Sequence, residues 1–104
     1  MVRVSLDELV QTDLRALAKG KPCQIRTPVC CFDPEQTVLC HYRSVGISGL
    51  NIKAPDVIAA WGCTPCHTYV DSNASVPRSV RDLLLLQGVA RTLYELVKLG
   101  LVHW

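Results

Sequence analysis

The stretch Cys63-Thr64-Pro65-Cys66-His67-Thr68-Tyr69-Val70-Asp71 constrains this chain more than any other. Two thiols separated by two residues let a single turn present both sulfurs to a tetrahedral Zn²⁺, at roughly 2.3 Å each. A helix starting near Pro65 then carries His67 and Asp71, which are i and i+4 and share one face. Cys66 and His67 are successive on that helix, about 100° apart around its axis, so a zinc that holds Cys66 does not readily take His67 as well. The spacing therefore predicts a closed zinc site beside an open one. The alternative is that Cys63, Cys66 and His67 all serve one structural zinc or are simply buried.

Such a site suits a chain of 104 residues with 49% hydrophobic content, which can form one core but not two. A single domain over 1–104 of this size buries roughly 60 to 70% of its unfolded surface, and a structural metal adds substantially to its stability. The N-terminus, Met1-Val2-Arg3-Val4-Ser5-Leu6-Asp7-Glu8, has acids where a secretory signal needs an apolar run, and no later segment approaches a membrane span. A cytoplasmic location follows, and in a reducing compartment Cys-x-x-Cys beside His points to metal before disulfides. The formal net charge of +2 is only weakly basic. Between Leu14 and Phe32, however, Arg15, Lys19, Lys21 and Arg26 stand without an acid. They form either a phosphate-facing patch or an ordinary solvated surface.

Thr12 is a candidate N-cap for a short helix over 13–19, with Gly20 where a left-handed C-cap is wanted. Residues 1–11 are an earlier helical turn or a mobile arm. Cys23, Cys30 and Cys31 follow in a segment broken by Pro22, Pro28 and Pro34, a loop rather than a helix. Cys23 and Cys30 supply the second half of a four-cysteine zinc site, with Cys31 either replacing Cys30 or standing as a free thiol. Thr37-Val38-Leu39-Cys40-His41-Tyr42-Arg43 reads as a strand, on which His41 and Arg43 share one face and Cys40 turns to the other as a small buried hydrophobe. Residues 46–55 read as a surface loop. Val57–Trp61 reads as a second strand or a packed turn, which Asp56 could cap or orient. Ser79 with Asp82 resembles a capping box for a long helix over 79–100. Its core-facing stripe is expected at Leu83, Leu86, Ala90, Leu93 and Val97, with enough further apolar surface to be sandwiched or covered by another subunit.

Taken in order, Asp13-Leu14-Arg15, Cys23-Gln24-Ile25-Arg26, Cys30, Leu39-Cys40-His41-Tyr42-Arg43, Pro55-Asp56-Val57-Ile58-Ala59 and Cys63-x-x-Cys66-His67-x-x-x-Asp71 resemble the prophage proteins typified by YbcO, a family described as nucleases. More broadly the chain resembles the HNH, or ββα-metal, nuclease superfamily. The resemblance implies a small α+β fold: a ββα-metal domain with a zinc knuckle, a short N-terminal helix and a long C-terminal helix. It also implies His41 as general base and His67 as a ligand of the catalytic metal. The pattern differs in three places. Cys40 stands where such enzymes usually place an Asp or His ligand, Asp56 is the nearest polar residue to the missing middle Asn, and Asp71 occupies the place of a second helical His.

Metal-assisted phosphodiester hydrolysis is the chemistry these groups suit. His67 and Asp71 would hold Mg²⁺ or Zn²⁺, His41 would take a proton from water, and Arg43 would hold the phosphate. The expected zinc ligands are Cys23, Cys30, Cys63 and Cys66. The expected nucleic-acid contacts, with DNA foremost, are Lys19, Lys21, Arg26 and Arg43. A homo-oligomer through the C-terminal helix and a recombination protein are the expected partners, in a phage or prophage setting. The competing readings are a zinc-stabilised DNA-binding or phage regulatory module without catalysis, and a metal-stabilised protein that binds a partner through its final helix.

Overall fold

In the computed structural model, residues 13–42, 56 and 58–101 are described. Helix α1 (Leu14–Ala18) leads through an irregular loop and a 3₁₀ turn (Pro34–Gln36) into strand β1 (Thr37–His41). Strand β2 (Ala59–Cys63), helix α2 (Thr64–Ser72) and helix α3 (Arg78–Lys98) follow. β1 and β2 form a two-stranded antiparallel sheet in which Thr37 faces Cys63 and His41 faces Ala59. The fold is thus α+β, as expected, with two strands feeding directly into a helix. No described helix is long and apolar enough to cross a membrane.

β2 is buried at all five positions because packing covers both of its faces and a loop covers its free edge. The Trp61 carbonyl accepts from the Gln24 amide at 2.6 Å, and the Trp61 amide donates to the Thr92 hydroxyl at 2.9 Å. Arg91 of α3 donates to the Gln24 carbonyl at 2.7 Å, so helix, loop and strand edge are tied into one unit. One core cluster contains Ile25, Cys40, Ala60, Val70 and Val89, and the other contains Leu14, Ala18, Trp61 and Leu96. Ile25 fits only because two glycines flank it. A Cβ on Gly62 would overlap the Ile25 side chain and lie 2.9 Å from Cys40 Sγ, and one on Gly88 would lie 3.0 Å from Ile25 Cγ1.

The element boundaries depart from sequence expectation in ways that have physical causes. Asp13, not Thr12, caps α1, its carboxylate accepting from the Ala16 amide at 3.1 Å. The second strand runs two residues further than Val57–Trp61, because pairing with β1 continues to the first zinc-type cysteine. Ser79 does not cap α3. Pro77 holds that position with φ −55°, its carbonyl accepting from Val80 and Arg81, and Asp82 faces Arg78 at 3.9 Å instead of the helix start. Gly100, at φ +77°, ends the helix: its amide reaches Val97 and the Leu101 amide reaches Leu96, the bond pair of a Schellman cap.

The largest correction concerns the face of α3. Leu83, Leu86 and Ala90, expected in the core, face solvent, while Gly88, Val89, Thr92 and Leu96 are buried. A helix apolar around most of its circumference gives periodicity no preferred side. The choice falls to close approach at Gly88 and to the Thr92 hydroxyl, which satisfies both the Trp61 amide and the Gly88 carbonyl.

Candidate metal centre and cleft

Cys23 and Cys30 come from the loop after α1, Cys63 ends β2, and Cys66 lies in the first turn of α2. The fold brings their four sulfurs within 4.8 Å of one another, and among the described residues this is the one such cluster of metal-binding side chains. Cys30 and Cys63 Sγ are 3.8 Å apart. A regular tetrahedron of sulfurs at ~2.3 Å from zinc has edges of about 3.8 Å, so the donors need little rearrangement to close on an ion. All six cysteines are free thiols. The Thr27 amide and hydroxyl lie 3.4 and 3.1 Å from Cys66 Sγ, placed to donate to a thiolate. Four such cysteines can bind a metal ion such as zinc.

The electrostatics fit the same conclusion. Burial pushes the Cys30 thiol up to about 11 and the Cys66 thiol higher, the latter despite the bonds from Thr27. Burial acts upward on Cys63 too, but the backbone N–H groups of Cys31 and Cys66 outweigh it and lower Cys63 to about 6. One thiolate is thus favoured and its crowded neighbours resist ionising, a balance that a bound dication reverses. The cluster includes Cys30 and not Cys31, which is exposed. Cys40 is buried outside the cluster, and its thiol, 3.8 Å from the Val38 carbonyl, is pushed up to about 12 by burial.

A cavity of about 320 Å³ opens beside α2, with Val70 among its lining residues. His41 of β1 and His67 and Asp71 of α2 all line it, as do Arg78, Arg81 and Asp82 from the start of α3. His67 stays out of the sulfur cluster, as the angle between successive helical residues requires. The Asp56 carboxylate lies 2.5 Å from His41 Nε2 and 3.7 Å from Arg15 Nε. An ionised carboxylate only accepts, so Nε2 carries a proton, and in the neutral imidazole Nδ1 keeps the lone pair. Arg81 is a fixed part of the wall, donating to the carbonyls of Asp71 at 3.1 Å and Val76 at 3.2 Å and so capping α2. Among the described residues Arg78 has only its loose pairing with Asp82, and its side chain is 81% exposed.

Sequence reasoning offered Asp56 only as the nearest polar residue to the place of the missing middle Asn, read Asp82 as a helix cap, and did not put Arg78, Arg81 or Asp82 at the cleft. The available signal was Arg78-x-x-Arg81 at the head of a helix, one turn apart. The expected basic residues scatter. Lys19 lines a second cavity with Arg15 and His41, Lys21 sits 5.9 Å over the Trp61 ring, and Arg26 donates to Gln24 Oε1 at 3.2 Å. Arg43 lies outside the described residues.

A family model described as "Putative nuclease YbcO" matches residues 12–101, a span that holds both the sulfur centre and the cleft. The chain belongs to the YbcO family. The YbcO relative of Escherichia coli K12 is 39% identical over 92 residues, 86% of this chain and 96% of its own length. A relative in Enterobacteria phage 82 matches to the same extent. A solved structure from Escherichia coli K-12 MG1655, named "Structure of a putative bacteriophage protein", superposes with a TM-score of 0.71 at 36% identity, covering 85% of this chain and all of that one.

Proposed function

We propose that this protein is a phage-associated, metal-dependent endonuclease of the ββα-metal type, in which zinc on Cys23, Cys30, Cys63 and Cys66 holds the fold and the cleft cuts phosphodiester bonds. The observation that carries the reading is that His41 of β1 and His67 and Asp71 of α2 line one cavity, with cationic Arg78 and Arg81 on its wall. The names of the YbcO relatives support it, as does the order of strand, strand and helix around the site.

His67 and Asp71 are the residues that would hold a divalent ion, and such an ion would supply charge stabilisation to a phosphate oxygen. Two protein donors suit an ion that keeps several waters. The chain's own residues do the rest. Asp56 fixes the His41 tautomer, leaving Nδ1 free to take a proton from water. Arg78 meets the phosphate as a mobile cation, while Arg81 keeps α2, and with it His67 and Asp71, in place. Assembly is through the solvent face of α3, where Leu83, Leu86 and Tyr94 are exposed.

A plasmid-nicking assay with Mg²⁺, Mn²⁺ or Zn²⁺ tests the reading. Cleavage that depends on an added metal and is lost in His41→Ala is the expected result. The second reading is a zinc-stabilised nucleic-acid-binding module, and the observation in its favour is that among the described residues no third metal-binding side chain clusters with His67 and Asp71. A parent protein that binds nucleic acid but cuts it with none of these metals would select that module.

A further inference from the structure

Among the described residues, two other than glycine have positive φ, Arg26 at 60° and Phe32 at 55°, and both lie in the loop that carries Cys23 and Cys30. A left-handed backbone is uncommon outside glycine and asparagine, and for a bulky side chain it is an outlier. The metal loop explains the backbone. The Phe32 amide acts on the Cys30 sulfur and the Cys31 amide on Cys63, so the chain must turn sharply here. It does not explain the side chains. The Phe32 ring is 79% exposed, so packing does not demand it, and Arg26 reaches only Gln24 within its own loop. Where the local backbone is best served by glycine or asparagine, the chain places an aromatic ring and a guanidinium facing solvent.

Strain of this kind persists where the surroundings over-determine it, and it gathers at ligand clamps. A cation for the phosphate and an aromatic face for the base are the pair that single-stranded nucleic acid requires. A duplex keeps its base faces stacked and would leave the ring without a partner. We propose that this loop binds an unpaired stretch of nucleic acid, Phe32 stacking on a base and Arg26 pairing with a phosphate. The proposal shares with the nuclease reading the premise that the ligand is nucleic acid, and adds that its bound part is single-stranded.

The test is fluorescence anisotropy of a labelled single-stranded oligonucleotide and of its duplex, on zinc-loaded protein without added Mg²⁺ or Mn²⁺. Phe32→Asn is expected to weaken single-strand binding roughly 5- to 150-fold, the range for one stacked base, while its melting temperature equals or exceeds that of the parent. Phe32→Trp keeps the affinity. Arg26→Asn reduces the salt slope of single-strand binding by about 0.7. The proposal is overturned by a Phe32→Asn variant that binds as the parent does, by one that melts well below it, or by an equal loss on duplex. A parent that cleaves nucleic acid without any dependence on Phe32 removes this proposal and leaves the nuclease reading standing. A parent that neither binds nor cleaves either form removes both.

Discussion

The Asp56 carboxylate sits 2.5 Å from Nε2 of His41, across fifteen positions of sequence. The hydrogen bond with His41 holds the Asp56 carboxyl below the usual carboxylate range, against a smaller opposing effect of burial and with help from Arg15. A carboxyl whose folded pKa is depressed contributes stability that is fully present above its unfolded value of about 3.9 and is lost as pH falls through the lower folded value. At neutral pH the carboxylate is therefore ionised and accepts from Nε2–H of His41.

Removing that orientation should cost rate without costing fold. His41→Ala is expected to lower cleavage by roughly 10² to 10⁴, the usual worth of a positioned base. Asp56→Asn should lower it by a smaller factor, because the imidazole remains but its tautomer is no longer dictated. Both variants should keep the metal content and fold of the parent, melting slightly below it through loss of the His41–Asp56 pair. Equal cleavage by parent and His41→Ala would withdraw the assignment of His41.

The sulfur cluster makes a separate claim, on stability. Elemental analysis of the purified protein is expected to find one zinc per chain. Cys63→Ser removes the ligand at the joint of β2 and α2, so it should abolish that zinc and lower the melting temperature sharply. A parent without bound zinc, together with a Cys63→Ser variant that melts where the parent does, would show that the cluster is only a thiol core.

Much of this site was legible in sequence because its signals are local. Cys63-x-x-Cys66, the one-face spacing of His67 and Asp71, and the inward turn of Cys40 along a strand all follow from fixed backbone periods. Asp56 stood out only as the nearest polar residue to the place of the missing Asn, and its contact with His41 was not legible, since it spans a long connection and depends on strand register. The solvent face of α3 was misassigned for a related reason. Its apolar residues run nearly around the helix, and the deciding features are a glycine at 88 and a threonine at 92 that a hydrophobic pattern counts as weak positions. Tertiary close approach chose the face.

The two arginines at the head of α3 should separate cleanly by assay. Arg78 is loosely paired and exposed, so Arg78→Ala should weaken nucleic-acid binding evenly across sequences and reduce the salt slope by about 0.7 to 0.9. Arg81 caps α2 through backbone carbonyls, so Arg81→Ala should destabilise the fold by about 1 kcal/mol and affect binding only through that loss. Salt titration and thermal melting read the two effects. The same salt slope in parent and Arg78→Ala would remove Arg78 from the phosphate contact.

The solvent face of α3 carries Val80, Leu83, Gln87, Ala90 and Tyr94, spaced 3, 4, 3 and 4, the repeat of a helix that pairs with another helix. Leu83 is 54% exposed and Tyr94 64%, on the side opposite Gly88, Val89, Thr92 and Leu96. An exposed apolar row of this length is costly in water unless it is covered. A second copy would cover it symmetrically, apolar row against apolar row, and Gln87 in the middle of such a seam would favour registers that pair it with another polar group. Light scattering is expected to show a dimer whose population rises with concentration in the micromolar range. Leu83→Glu places a charge in the seam and should give a monomer with unchanged zinc content and melting behaviour set by one chain. Gln87→Leu should tighten the dimer and loosen its register. A parent that stays strictly monomeric at high micromolar concentration would mean that the row meets a different surface.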